Sequence, residues 1–457
     1  MKKTYLILCL IFIIGLALRI TYTLQINDHP LLEDALQNPV FDQHRFGLAA
    51  NDILDGTWGK SVDPEKYGLV YPYFLATIYK FFGHNSLAAR LIQSFIGSLL
   101  ILLVYFTGKE IFNSKVGLMA AFITAFYGIF IFYDAILLRA SLVTFLNVAM
   151  VLLLSLAKRK KRLFLWLLPG LILGLSTLTR PNMLLIFICA WILFGVKEAP
   201  VKKRTLYLLL FILGVMVVML PASYHNWKMG DGTTPIATDY SPFWVGNVHD
   251  ATGVTLSYTD GYHKMVESCG NNIYSVARSF IGEIKNYPAE MAKIYLRKTR
   301  MFFNGYEIPS NLNYYLIKEW PSVLKIPLFS FSLIVPFALL GIFLSLSRRE
   351  WLLHLVFFVL SFSVILFHIQ ARYRLPTVPF FILFSSYAFV WLGEQLKRQK
   401  GPLLFAMFLI ISFLTFLTKT DTTYGLPAQP KDPIRVGDYL NIGSSYSDRG
   451  DYEKAIY

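Results

Sequence analysis

Apolar residues in this chain fall in long unbroken runs, not in the alternating or amphipathic patterns of a half-buried surface. The runs are Tyr5–Tyr22, Leu87–Phe106, Val116–Phe132, Ser141–Ala157, Leu163–Leu178, Met183–Val196, Leu206–Pro221, Ile326–Leu346, Leu352–Phe367, Pro376–Leu392 and Leu403–Leu417. A helix needs about twenty such residues to cross hydrocarbon, so the pattern predicts an all-α polytopic membrane protein with about eleven transmembrane helices over residues 1–417. Two polar stretches interrupt it, residues 25–85 and 222–323. In the first, Tyr67 to Phe82 is aromatic-rich and carries Pro72, which reads as a helix at the membrane interface. The second ends in an amphipathic run, Ile273 to Phe303, and is expected to pack on the bundle as a cap.

After the last run the character changes. Residues 418–437, with Pro427, Pro430 and Pro433, read as a linker. In residues 438–457, the spacing of Tyr439, Ile442, Gly443, Tyr446, Gly450 and Ala455 predicts the first part of a tetratricopeptide repeat. One repeat cannot bury its own core, so the chain is expected to be a piece of a longer protein whose repeat array binds a protein partner.

Charge sets the topology. Forty-three Lys and Arg against 28 Asp and Glu give +15, but the cations sit in short clusters between apolar runs (158–162, 202–204, 348–349, 397–400). That is the positive-inside pattern and not a nucleic-acid surface. With the N-terminus cytoplasmic, every cluster falls inside, in a cell inner (plasma) membrane. The 25–85 loop, Asp134, Arg180, the 222–323 stretch, Arg372 to Arg374 and the C-terminus then share the outer face. Cys9, Cys189 and Cys269 suggest neither a disulfide framework nor a metal site. The run after Met1-Lys2-Lys3 lacks a small-residue cleavage site and is kept as an uncleaved span.

The chemistry therefore belongs on the outer face. Asp42, in Asn38-Pro39-Val40-Phe41-Asp42, is the best candidate for a catalytic carboxylate; an N-cap for a helix reaching Leu54 is the competing role. Asp134 is either a second active-site acid or a helix end. Arg180, Arg372 and Arg374, and less strongly Arg139, lie against the positive-inside bias and suit a phosphate at the bilayer surface, since a guanidinium binds phosphate oxygens bidentately. Snorkelling to lipid headgroups is the plainer alternative. Nucleotide-binding, zinc-ligand and serine-hydrolase motifs are all missing. An activated substrate must then arrive on the outer face, and a lipid phosphate carrying an already activated group fits that constraint.

These motifs resemble a known family. Asn38 to Asp42, Leu69-Val70-Tyr71-Pro72, Phe81 to Gln93, Thr177 to Asn182, Val245-Gly246-Asn247, Asn304 to Pro309 and Ala371 to Pro376 together look like membrane glycosyltransferases of the GT-C fold. The similarity is to the family 39 group of protein mannosyltransferases and aminoarabinose transferases, in a bacterial branch with C-terminal tetratricopeptide repeats. The resemblance implies inverting transfer of a hexose or pentose from a polyprenyl-phosphate donor to a protein, lipid or glycan acceptor. Asp42 takes the place of the general base. Arg180, Arg372 and Arg374 would lie near the donor phosphate, and Arg139, Tyr71, Glu307 and Asn247 complete the residues expected to touch substrate. Many members carry Asp-Glu where this chain has Asp42-Gln43. Some GT-C enzymes use a divalent cation, but this group generally does not. The competing readings are a lipid-linked glycan ligase or polymerase, a flippase, and a membrane anchor presenting repeats.

Overall fold

A computed structural model describes residues 2–57, 61, 68–186, 200–229, 233–236, 239–254, 258–270, 272–320, 323–348, 351–419, 436–448 and 451–456. The chain begins with α1 (Lys2–Gln25) and then the shorter helices α2 (Pro30–Gln37), α3 (Asp42–Leu54) and α4 (Val70–Phe82). The first part of the bundle is α5 (Ser86–Ile111), α6 (Ser114–Ala125), α7 (Gly128–Asp134), α8 (Arg139–Lys160), α9 (Leu167–Thr179) and α10 (Val201–Met229). A cap follows, of α11 (Ser241–Trp244), α12 (Asp260–Cys269), α13 (Ile273–Asn286) and α14 (Pro288–Phe303), leading to α15 (Tyr314–Glu319). The second part is α16 (Phe331–Ser345), α17 (Trp351–Leu366), α18 (Ala371–Arg374), α19 (Val378–Lys397) and α20 (Gly401–Lys419). The tail holds α21 (Val436–Asp448) and α22 (Tyr452–Ile456).

Among the described residues, six helices are long and apolar enough to cross a bilayer, and four shorter apolar ones stand with them. They coincide with the hydrophobic runs because a backbone in hydrocarbon must satisfy its own hydrogen bonds. Two expectations change. The run Val116–Phe132 is not one helix: α6 stops at Ala125, and Phe329 N–H donates to Phe126 O (2.9 Å) while Gly128 N–H donates to Phe329 O (3.3 Å) before α7 begins. The span expected over Met183–Val196 opens as a 3-10 turn, Pro181–Leu185, and residues 187–199 lie outside the described residues, as does most of the 418–437 linker.

Small residues bring the helices close. A Cβ at Gly170 of α9 would overlap the Phe211 carbonyl of α10, and one at Gly214 would overlap the Leu167 carbonyl, so neither tolerates a side chain. The cap has its own core, with Phe243, Trp244, Val248, Met291 and Ile294 packed against Leu366 and Phe367 at the end of α17. That packing seats the cap on the end of the bundle where the arginines lie.

Candidate active site

The segment between α1 and α5 is built to present Asp42. His29 caps α2, its Nδ1 accepting from Leu31 N–H (3.2 Å), and α3 starts after the turn at Asn38. Phe41 is the cap position of α3 and makes no side-chain capping bond; Asp42 is the first helical residue, so its carboxylate is not used as an N-cap. The inner face of α3, Phe46, Ala49 and Ala50, packs on α4, with Phe46 edge-on to Tyr71 (4.8 Å). Tyr71 is fully buried; its Oη donates to Gln93 Oε1 (2.7 Å), and Gln93 Nε2 donates to the carbonyls of Tyr133, Asp134 and Ile136. Tyr71 thus fastens the loop to the bundle.

Asp42 reaches across the molecule to Arg372, which donates to its Oδ2. Arg372 is itself held. Its Nε donates to Gln370 Oε1 (3.1 Å), Gln370 Nε2 donates to His368 Nε2 (3.0 Å), and His368 Nδ1 donates to Pro242 O (3.0 Å). The carbonyl at Nδ1 fixes the tautomer. Burial pulls His368 down to about 3, so the ring stays neutral and the chain of bonds keeps its direction. At Asp42, burial pushes the carboxyl up. The adjacent Arg372 charge and hydrogen bond, with Arg139 and Arg45, outweigh it and hold the group below the ordinary carboxylate value. It is ionised at neutral pH.

Beside this pair lies a partly open cavity of about 130 Å³ between bundle and cap. Arg139, Arg180 and Asn182 line one side, and Asp239, Tyr240 and Pro242 the other. Arg180 is only 6% exposed and stacks on Tyr373 (4.6 Å), with one Nη donating to Arg372 O (3.4 Å). Its Nε and the Asn182 Oδ1 are buried with no hydrogen-bond partner among the described residues. Burial, then repulsion from Arg139, pulls the Arg180 guanidinium down to about 9. An anion in the cavity would offset the repulsion from Arg139 and the cost of burying the Arg180 charge.

Other expected site residues are engaged elsewhere. Asp134 sits at the end of α7 in a sealed pair with Arg19 (2.8 Å), whose remaining donors reach the carbonyls of Gly15, Thr124 and Ala125. A Cβ at Gly97 would overlap the Asp134 carboxylate, so no space remains beside it for substrate. Arg374 and Glu307 belong to each other (2.7 Å); Arg374 also donates to Phe302 O and Asn304 O and stacks on Phe331 (3.7 Å). Asn247 is fully buried and accepts from Tyr295 Oη (2.6 Å) and Lys298 Nζ (3.1 Å). Lys298, missed in the sequence, also donates to Gly246 O (2.9 Å) and Phe367 O (3.0 Å), riveting the cap to the end of α17. Its signal was present: Met291, Ile294, Lys298, Met301 and Phe302 share one helix face, and a lysine on an apolar stripe needs acceptors. Arg19 was equally readable as a charge inside an apolar run.

The charged side chains that act on Asp42 are arginines, and among the described residues no group of three or more His, Cys, Asp or Glu comes together. The architecture is that of a polytopic membrane protein of the GT-C fold. Residues 66–225 match the family model described as dolichyl-phosphate-mannose-protein mannosyltransferase, a stretch that takes in Tyr71, Asp134, Arg139 and Arg180 and leaves out Asp42 and Arg372. No curated protein sequence matches the chain. Among solved structures, the oligosaccharyltransferase of Archaeoglobus fulgidus is similar. Its complex with zinc and sulfate superposes with a TM-score of 0.52 at 14% identity, covering 98% of this chain and 56% of that one. Its apo form gives 0.51 at 15% identity over 92% and 55%. Its complex with an inhibitory peptide and a dolichol-phosphate gives 0.50 at 13% over 93% and 56%. The likeness is one of fold, and the chain spans about half the length of these oligosaccharyltransferase chains.

Proposed function

We propose that the chain transfers a sugar from a polyprenyl-phosphate donor to an acceptor on the extracytoplasmic face of the inner membrane, with inversion. The observation that carries this is Arg180, a buried guanidinium that lines a cavity and donates to the backbone of the same Arg372 that holds an ionised Asp42. An anion site beside a carboxylate base is what displacement of a sugar from a phosphate requires. The acceptor oxygen or nitrogen attacks the anomeric carbon, the bond from that carbon to the phosphate oxygen breaks, and its electron pair leaves on the phosphate. Asp42 takes the acceptor's proton. Its basicity is low, but the attacking atom becomes acidic as its new bond forms, so an ionised, oriented carboxylate suffices. Arg180 and Arg139, on the wall of the cavity, neutralise the leaving phosphate.

The family match supports the donor class, and the acceptor peptide tethered in another structure of the Archaeoglobus fulgidus enzyme makes a polypeptide the first acceptor to test. The helix pair α21 and α22 remains our candidate for the opening of a partner-binding repeat. In the deciding assay the purified chain is given radiolabelled polyprenyl-phosphate sugars and envelope extract, beside Asp42→Asn. Label transferred by the wild type alone supports the reading. Equal transfer by both moves the base elsewhere, and loss of donor binding in Arg180→Ala tests the phosphate site separately.

A further inference from the structure

Residues 304–313, between α14 and α15, bond to the helices of both Asp42 and Arg372 and to α20 and α21. Arg374 Nη1 donates to Asn304 O (2.6 Å) and Ala371 N–H donates to Ile308 O (2.9 Å), joining the strip to α18, the helix of Arg372. Asn311 Nδ2 donates to Gln43 Oε1 (2.9 Å), joining it to the first turn of α3, the helix of Asp42. Gly305 N–H donates to Thr418 O (3.1 Å) at the end of α20. The last attachment is to the tail. Asn313 caps α15 through its Oδ1, which accepts from Tyr315 N–H (2.8 Å), and its Nδ2 donates to Asp438 Oδ2 of α21 (2.6 Å). Asp438 and Asn313 are both buried, at 4% and 1% exposure, although Asp438 comes from the far side of the linker. The tail helix also packs on α2, the helix that leads into the Asp42 turn, and Ile442 rests against the main core.

We infer that α21 is a positioning element of the active site. Docked on α2 and bonded through Asp438 to Asn313, it fixes one end of a brace whose other bonds set Asp42 and Arg372 against each other. Asp438 is a positioning residue: it meets neither cavity nor base, and it acts through residues 304–313. The tail therefore does more than present a surface for partners, because whatever grips or pulls α21 pulls on the base and its arginine. The effect on transfer rests on the function proposed above; the mechanical coupling does not.

The test uses the full chain in lipid nanodiscs as wild type, Asp438→Ala, Asp438→Asn (which keeps an oxygen acceptor) and Ile442→Ala (which loosens the docking without touching the polar bond). Hydrogen exchange is read at the first turn of α3 and at Ala371, with α8 as reference. Asp438→Ala should speed exchange at both sites by at least about fivefold and leave α8 unchanged; Ile442→Ala should act in the same direction more weakly. In the transfer assay kcat should fall roughly tenfold at unchanged donor KM, as misplacement of a base predicts, and Asp438→Asn should recover most of it. Faster exchange confined to α21, with α3 and Ala371 as in wild type, overturns the coupling, and Ile442→Ala decides the matter by itself if Asp438→Ala does not fold. Exchange changes as expected in a chain that transfers no sugar would sink the glycosyltransferase reading and leave the brace standing.

Discussion

Asp42 and Asp134 are both aspartates paired with arginine, and they sit at opposite extremes of what such a pair can be. The Asp134–Arg19 pair is sealed, its side chains 3% and 0% exposed, with the other guanidinium nitrogens bonded to helix carbonyls. The Asp42–Arg372 pair is open, at 24% and 14%, and its arginine is shared with a second guanidinium at a cavity. A sealed, satisfied pair can only hold helices together. An open pair beside an underused cation can exchange partners. Chemistry belongs where hydrogen-bonding groups are left over.

That contrast is breakable by measurement. Asp42→Asn should cost about two to four orders of magnitude in sugar transfer, the usual effect of losing a positioned base, while thermal unfolding in detergent shifts less than on breaking the sealed pair, because Asp42 and Arg372 keep part of their hydration. Asp134→Ala should do the reverse: leaving Arg19 buried without its partner costs about 3–5 kcal/mol, read as lost folded yield on size exclusion. Joint replacement, Arg19→Leu with Asp134→Leu, should recover much of it. If Asp134→Ala folds normally and abolishes transfer, the contrast is wrong. A smaller effect separates Arg180 from Arg374: Arg180→Ala should weaken binding of polyprenyl phosphate by about 1.5–3 kcal/mol, whereas Arg374→Ala should lower the melting temperature and leave the affinity of the folded fraction alone.

The smallest effect is one of pH. Burial pulls Lys298 from its ordinary 10.5 down to about 7. Between those values the unfolded chain holds a proton that the folded chain lacks, so this group's penalty is full below about 7 and is relieved as pH rises to 10.5. Melting curves across that window should rise less steeply with pH in Lys298→Met than in wild type. A parallel pair of curves would mean that its carbonyl cage keeps the lysine charged.

The spans were legible because the bilayer leaves the backbone few options, and the break at Tyr127-Gly128 was not, since what stops the helix there is Phe329, far along the chain. The clustering of polar residues between the spans was legible too, and the structure brings Arg139 and Arg180 to one cavity with the Asp42–Arg372 pair beside it. Partnership was hidden. Glu307 and Arg374 each look like substrate groups when read singly, and only the fold reveals that they satisfy one another. Asp42 meets an arginine 330 residues away. Tyr71 and Asn247 are buried polar anchors, and sequence cannot tell an anchor from a ligand when both need the same hydrogen-bonding group.

The sealed pair also constrains how the protein is made. Arg19 leaves the ribosome within the first hydrophobic segment, and its partner follows 115 residues later, on the order of ten seconds of synthesis. For that interval a guanidinium has no carboxylate to meet and no lipid that welcomes it. The first segment must therefore linger at the insertion machinery, or ride shallow in the membrane, until α7 arrives. Delay between these two segments, through slowed translation or a lengthened loop, should expose the newborn chain to quality control well before the active site is assembled.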